Sequence, residues 1–102
     1  MDKVTYSIDF NKKNWMRFIS HLDLMRLFSR AIRRADFKLY FSKGFSPRPI
    51  IRIREAIKLG LEGKGLEAEF VLLEHIDPNE FKKRLQIELP EGIYIEKAEV
   101  KA

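Results

Sequence analysis

The chain contains no cysteine and only two histidines. The missing cysteines exclude disulfide bonds, cysteine-ligated zinc, iron–sulfur clusters and thiol nucleophiles. Two histidines are too few for a histidine-rich metal site, so we expect no metal and no other cofactor. The sequence therefore favours a non-enzymatic binding domain over a catalyst.

Long apolar segments are also missing. No run of apolar residues approaches the ~20 that cross a bilayer as a helix. Met1-Asp2-Lys3 is followed by alternating polar and apolar residues, which is unlike a signal or transit peptide. We therefore expect a cytoplasmic protein.

Acidic residues are scarce in the first part of the chain, although the net charge is only +5. Residues 1–60 hold 14 Lys and Arg against 5 Asp and Glu, whereas residues 61–102 hold 6 against 10. This excess of positive charge favours an anionic partner, for which nucleic acid is the usual candidate. The alternative is a basic surface that contacts only solvent.

The composition that is present is that of a globular domain. Hydrophobic residues make up 45% and charged residues 34% of the 102 positions, which predicts one domain, 1–102, with one core. Alternating apolar residues predict strands at residues 4–10, 50–54, 66–76 and 93–100, with shorter extended segments at 15–19 and 39–41. Gly60, Gly63 and Gly65 are typical of a turn.

Two helices are predicted from their start signals. Ser20, with Asp23 three positions later, resembles a capping box before a helix over 21–35. Asp77-Pro78 begins a second helix, which ends near Pro90. The order of these elements predicts an α+β, ferredoxin-like split βαβ fold, in which an antiparallel sheet carries both helices on one face.

The first helix is predicted to be amphipathic. Its core face consists of Leu24, Met25, Phe28, Ala31, Ile32 and Ala35. The opposite face consists of Arg26, Arg30, Arg33 and Arg34. Because amphipathicity turns this second face outward, these arginines are candidates for binding phosphate.

The segment after this helix is basic and stiff. Gly44 permits unusual backbone angles, while Pro47 and Pro49 restrict their neighbours, and the pattern does not match a nucleotide-binding glycine loop. Further basic residues that extend the candidate surface are Arg17, Lys43, Arg48, Arg52 and Arg54. Phe45 with Tyr40 and Phe41 would stack on bases if exposed. In the alternative interpretation Tyr40 and Phe41 pack in the core and Phe45 anchors the loop.

His21 is the residue best suited to acid–base chemistry. Its position on the helical wheel favours a packed, hydrogen-bonded histidine with a structural role. Asp23 is predicted to support the helix start and to pair with Arg26. Residues two apart on a helix do not face each other, so a His21–Asp23 pair is not expected.

Two segments together resemble a known family. They are Arg17 to Arg26 (RFISHLDLMR) and Tyr40 to Pro49 (YFSKGFSPRP). They are similar to an uncharacterised bacterial domain that is fused to, or encoded beside, cobalamin-binding-type radical SAM proteins. The second motif often reads Gly-Phe-Asn-Pro-His-Pro in that family, where this chain has Ser46 and Arg48. The motif positions are Ser20, His21, Asp23, Gly44, Pro47 and Pro49.

The resemblance implies a radical SAM protein as partner and a role near RNA. It also implies that the chain is a short member or a fragment of a longer family domain, because such domains tend to continue beyond Ala102. The leading hypothesis is a non-catalytic module that binds structured RNA. The alternative is a subunit that docks on a radical SAM enzyme without touching RNA. A third hypothesis is a metal-independent ribonuclease that uses His21 with a nearby Lys or Tyr.

Overall fold

A computed structural model describes residues 2–54 and 63–101. The first strand is followed by a short 3-10 helix, and two further helices and three further strands complete the described elements. The elements are β1 (Val4–Lys12), the 3-10 helix (Asn14–Phe18), α1 (His21–Arg34), β2 (Ile51–Arg54), β3 (Gly63–Leu72), α2 (Pro78–Glu88) and β4 (Ile93–Lys101).

The four strands form one sheet in the order β2-β3-β1-β4, and every neighbouring pair is antiparallel. With one helix between β1 and β2 and another between β3 and β4, this is the split βαβ arrangement. The predicted fold class is confirmed. None of the helices in residues 2–54 and 63–101 is long and apolar enough to cross a bilayer.

Aromatic contacts show that both helices cover the same face of the sheet. Phe28 of α1 lies 5.1 Å from Phe10 and 5.6 Å from Phe70, measured between ring centroids. Phe81 of α2 stacks on Tyr6 at 4.7 Å and lies 5.8 Å from Phe70. Because Tyr6 and Phe70 are cross-strand partners, these rings form one core between the sheet and the two helices.

Both predicted helix starts are present. The Ser20 hydroxyl accepts a hydrogen bond from the Asp23 amide at 3.1 Å. The Asp77 carboxylate accepts from the amides of Asn79 and Glu80 at 3.0 and 3.3 Å. Each cap satisfies amides that have no partner inside the helix, which fixes where α1 and α2 begin.

The structure corrects the prediction of an extended segment at residues 15–19: residues 15–18 lie in the 3-10 helix, and of this segment Ile19 alone is extended. A contact that is distant in sequence explains the difference. The Lys13 amide donates to the Gly92 carbonyl at 2.7 Å, and Asn14 adopts a left-handed conformation with φ of 56°. Together they turn the chain before Trp15.

The other boundaries differ by smaller amounts. Residues 39–41 contribute only single bridges, from Leu39 to Leu72 and from Phe41 to Pro49. Strand β3 ends at Leu72 rather than at residue 76 because the chain leaves the sheet there, with the Leu73 amide bonded to the Lys38 carbonyl at 2.8 Å. Of the predicted glycine turn, Gly63 and Gly65 lie in β3, and Gly60 lies outside the described residues.

Candidate functional site

Helix α1 has a buried face and an exposed flank. The buried residues are Leu24, Leu27, Phe28, Ala31 and Ile32. Met25, which was predicted in the core, is half-buried at the boundary between the two. The exposed flank faces the segment that enters β2, and a groove runs between them.

This groove has a volume of about 470 Å³. Its basic residues are Arg26, Arg30 and Arg33 from α1 and Arg48 from the loop that precedes β2. The other residues that line it are Leu22, Met25, Ser29, Pro49 and Ile51. We call it the arginine groove. The structure thus brings four of the predicted binding residues together around a partly apolar floor.

The arginines of this groove have few acidic partners in the part of the chain that the structure describes. Arg26 lies 3.6 Å from Asp23, and both side chains are well exposed, so this pair is weak. Among residues 2–54 and 63–101, Arg30, Arg33 and Arg48 form no ion pair. The groove therefore offers several guanidinium groups to an anionic ligand at once.

The loop beside the groove is closed by hydrogen bonds between its ends. The Ser42 amide donates to the Arg48 carbonyl at 2.8 Å, and the Arg48 amide donates to the Ser42 hydroxyl at 3.1 Å. Gly44 has φ of 128°, a conformation that side chains rarely allow. These features support the predicted role of this segment as a defined, basic loop.

Phe45 projects fully into solvent from this loop, with Lys43 exposed beside it. Phe41 is also exposed, and Tyr40 is half-buried with the Lys3 ammonium 4.7 Å from its ring. The interpretation that Tyr40 and Phe41 pack in the core is therefore wrong for Phe41 and only partly right for Tyr40. Phe45 does not anchor the loop to the core, and its ring is accessible.

Arg34 does not belong to the arginine groove. Its Nε lies 3.1 Å from a Glu88 carboxylate oxygen, and its Nη2 donates to the Glu88 carbonyl at 2.8 Å. Glu88 is the last residue of α2, so this side chain connects the ends of the two helices. The helical wheel placed Arg34 with the other arginines because it contains no information about the neighbouring helix.

Arg52 and Arg54 lie on the face of the sheet opposite the helices. Arg52 pairs with Glu69 at 3.7 Å and Arg54 with Glu67 at 3.3 Å, each across the β2–β3 ladder. The Lys101 ammonium donates to Glu69 at 2.8 Å. This hydrogen bond, helped by the charges of Lys101, Arg54 and Arg52, holds the pKa of Glu69 below its ordinary value of 4.5 despite burial. The charges on this face largely neutralise one another.

Arg17 lies apart from the groove, on the 3-10 helix. Its guanidinium lies 4.9 Å from the centre of the Phe18 ring, and its Nε is buried with no hydrogen-bond partner among the described residues. Trp15 and Phe18, both exposed, flank it. A role for these two rings was not predicted from the sequence. Their spacing of three residues would have indicated a shared face had a 3-10 helix been predicted.

The remaining motif positions have mainly structural surroundings. Ser20 and Asp23 form the helix cap, and Pro49 lines the arginine groove. His21 is the first residue of α1 and is exposed, so it is not packed as predicted, although it does interact with a neighbouring group. Within the ranges 2–54 and 63–101, no group of three His, Asp or Glu side chains is arranged to hold a metal ion.

The fold and the groove define a small α+β domain with a basic, partly apolar groove on one helix flank. The chain belongs to the family DUF2344, described as an uncharacterized protein conserved in bacteria, whose sequence profile matches residues 5–102. No curated protein and no solved structure matches the chain.

Proposed function

We propose that this protein is a non-catalytic module that binds structured RNA through the arginine groove. The observation that supports this most strongly is the group of arginines for which the described residues contain no carboxylate partner. Arg30, Arg33 and Arg48 line one groove, and none has an acidic partner in the described part of the chain. Buried or paired arginines would lose much of their attraction for phosphate, whereas these retain it.

The form of the groove also suits a nucleic acid better than a free small anion. Guanidinium groups bind phosphate oxygens through parallel hydrogen bonds, and several of them along one helix flank match a chain of phosphates. The apolar floor formed by Met25, Pro49 and Ile51 gives sugars and base edges a surface to contact. Phe45, exposed on the closed loop, supplies a ring on which a base can stack.

We further propose that the module serves a radical SAM enzyme in the cytoplasm, and this part rests on the resemblance of the two sequence motifs. A protein-docking role without RNA is the alternative, and the full exposure of Phe45 is the observation that favours it. An apolar ring that projects into solvent is a typical centre for a protein interface. In that case Phe45→Ala would weaken docking more than reversal of the groove charges.

Salt-dependent binding to an RNA hairpin tests the RNA proposal. Four phosphate contacts on the paired stem predict that the affinity falls about 150-fold between 50 and 200 mM salt, because each contact releases counterions. The variant Arg30→Glu/Arg33→Glu should lose most of the affinity and most of the salt dependence. Fluorescence anisotropy of a labelled hairpin measures both quantities.

A matched variant controls for net charge. Lys38→Glu/Lys83→Glu changes the charge by the same amount at two exposed positions outside the groove. It should bind the hairpin within about threefold of the unmodified protein at 200 mM salt, where long-range effects are screened. Equal losses in the two variants, or no binding by the unmodified protein at 50 mM salt, would exclude the arginine groove as an RNA site.

A further inference from the structure

Trp15 and Phe18 form an exposed aromatic pair outside the arginine groove. Trp15 is 86% exposed and Phe18 47%, and their ring centroids lie 6.4 Å apart with an angle of 46° between the planes. A 3-10 helix has three residues per turn, so residues three apart project from the same side. Both rings therefore belong to one surface, and the Trp15 ring has most of its area open to solvent.

The backbone that carries these rings is fixed by the fold. The Lys13 amide donates to the Gly92 carbonyl at 2.7 Å, and the Ile19 amide donates to the Met16 carbonyl at 3.1 Å. Met16 and Ile19 pack against the core on the inner side. Because the segment is already ordered, its backbone loses little conformational entropy when a ligand binds to its outer side.

The charges beside the rings are positive. The Arg17 guanidinium lies against the Phe18 ring, and the Lys13 ammonium lies 5.7 Å from the centre of the Tyr94 ring. Within the described ranges neither Arg17 nor Lys13 forms an ion pair. A partner that complements this surface combines a flat apolar group with negative charge, and a nucleotide has both.

We propose that Trp15 and Phe18 bind an unpaired base of the RNA by stacking, while Arg17 contacts an adjoining phosphate. This inference rests on the proposed RNA-binding function and adds a second contact to it. Leu22 lines the arginine groove and follows Phe18 by four residues, so one RNA strand can reach both places. The arginine groove then supplies affinity for phosphates, and the aromatic pair selects single-stranded over fully paired RNA.

The protein carries its own reporter for this site, because Trp15 is its only tryptophan. Titration with hexa-adenylate, a single strand that stacks readily, should quench the tryptophan fluorescence in parallel with binding. A blunt RNA duplex, whose bases are inaccessible, should bind through its phosphates and leave the fluorescence unchanged. Binding of hexa-adenylate with no change in the fluorescence would overturn the proposal.

Substitution separates stacking from charge. Trp15→Leu should lower the affinity for hexa-adenylate by about fivefold or more, and the affinity for the duplex by less than about twofold. Ile87→Ala is the control, because Ile87 is 77% exposed on α2, outside the candidate surface, and its truncation should change neither affinity. Affinities are measured by anisotropy of the labelled RNA, and the thermal midpoints of all variants verify their folding.

The two proposals fail in different ways. Equal losses for single strand and duplex in Trp15→Leu, or no loss for either, would overturn base stacking and leave the rings as a surface for a protein partner. If Arg30→Glu/Arg33→Glu keeps its affinity for both RNAs while Trp15→Leu loses the single strand, the groove proposal fails and the stacking site stands. No binding of either RNA by the unmodified protein would exclude both.

Discussion

Arg30 and Arg34 lie four residues apart on the same helix, but their surroundings differ completely. Arg34 binds the carboxylate and the carbonyl of Glu88, whereas Arg30 lines the arginine groove without an ion pair in the described part of the chain. The sequence predicted that both are exposed and basic, because that follows from the helical period. It did not predict their different roles, because Glu88 belongs to α2 and its position depends on how the two helices pack.

Substitution of each arginine by glutamine should separate stability from binding. Arg34→Gln should lower the free energy of unfolding by about 0.5–1 kcal/mol, as expected for an exposed pair, and leave RNA affinity unchanged. Arg30→Gln should weaken RNA binding without measurable loss of stability. Urea denaturation and anisotropy of a labelled hairpin measure the two effects. Reduced RNA affinity in Arg34→Gln with normal stability would contradict this assignment.

Some elements were predictable from residues close in sequence, whereas others depend on contacts between distant parts of the chain. The caps formed by Ser20 and Asp77 were predictable because each lies within three residues of the amides it binds. The 3-10 helix was not predictable from its own residues, since its position depends on Gly92, far along the chain. The exposed rings of Trp15 and Phe18 were missed for the same reason, whereas the basic loop and the arginines of α1 were found from local pattern.

The contact between Gly92 and the 3-10 helix predicts that a side chain at position 92 destabilises the fold. A Cβ at Gly92, where φ is 101°, would lie 2.7 Å from Met16 Cγ and 2.8 Å from the Lys13 carbonyl oxygen. Gly92→Ala should therefore displace the 3-10 helix and lower the free energy of unfolding by about 2 kcal/mol or more. Hydrogen exchange should show faster exchange of the Ile19 amide.

Gly44→Ala is the comparison for this substitution. Gly44 also has a positive φ, of 128°, but apart from its two chain neighbours no atom of the described residues lies within 4 Å of the added Cβ. Backbone strain is then the cause of any destabilisation, so the free energy of unfolding should fall by less, about 1 kcal/mol. Equal losses in the two variants, measured by urea denaturation, would show that close packing against the 3-10 helix is not what requires glycine at position 92.

The charged face of the sheet should make stability depend on pH. The pKa of Glu69 is lowered in the folded protein, so the ionised carboxylate contributes to stability at pH values above its ordinary pKa of 4.5. This stabilisation is lost as the pH falls through the lower pKa of the folded state. Glu69→Gln should lower the free energy of unfolding by roughly 1 kcal/mol at neutral pH. The variant should also lose less stability on acidification.

Glu99→Gln removes the same charge from the same face and serves as the control. Glu99 is the cross-strand partner of Ser7, and it forms no ion pair within residues 2–54 and 63–101. Its substitution should leave the dependence of the thermal midpoint on pH close to that of the unmodified protein. Identical pH profiles for Glu69→Gln and Glu99→Gln would contradict the role of the Lys101 hydrogen bond.

At the scale of the whole molecule, the positive charge is not distributed evenly. The sheet face opposite the helices balances Arg52 and Arg54 against Glu69 and Glu67, whereas Arg30 and Arg33 on the flank of α1 have no such partner among the described residues. The sequence predicted the fold class correctly because its elements alternate clearly. It did not separate the paired arginines from the unpaired ones, since that requires the register of β2 against β3. The fold itself accommodates many functions, so the distribution of charge carries the functional argument.

The most direct measurement is an NMR titration that follows the arginine side-chain Nε–Hε signals while an RNA hairpin is added. The proposal predicts shifts for Arg26, Arg30, Arg33 and Arg48, with Arg34, Arg52 and Arg54 unchanged as controls within the same molecule. Shifts confined to the sheet-face arginines, or an equal response from all seven, would contradict the arginine groove as the RNA-binding site.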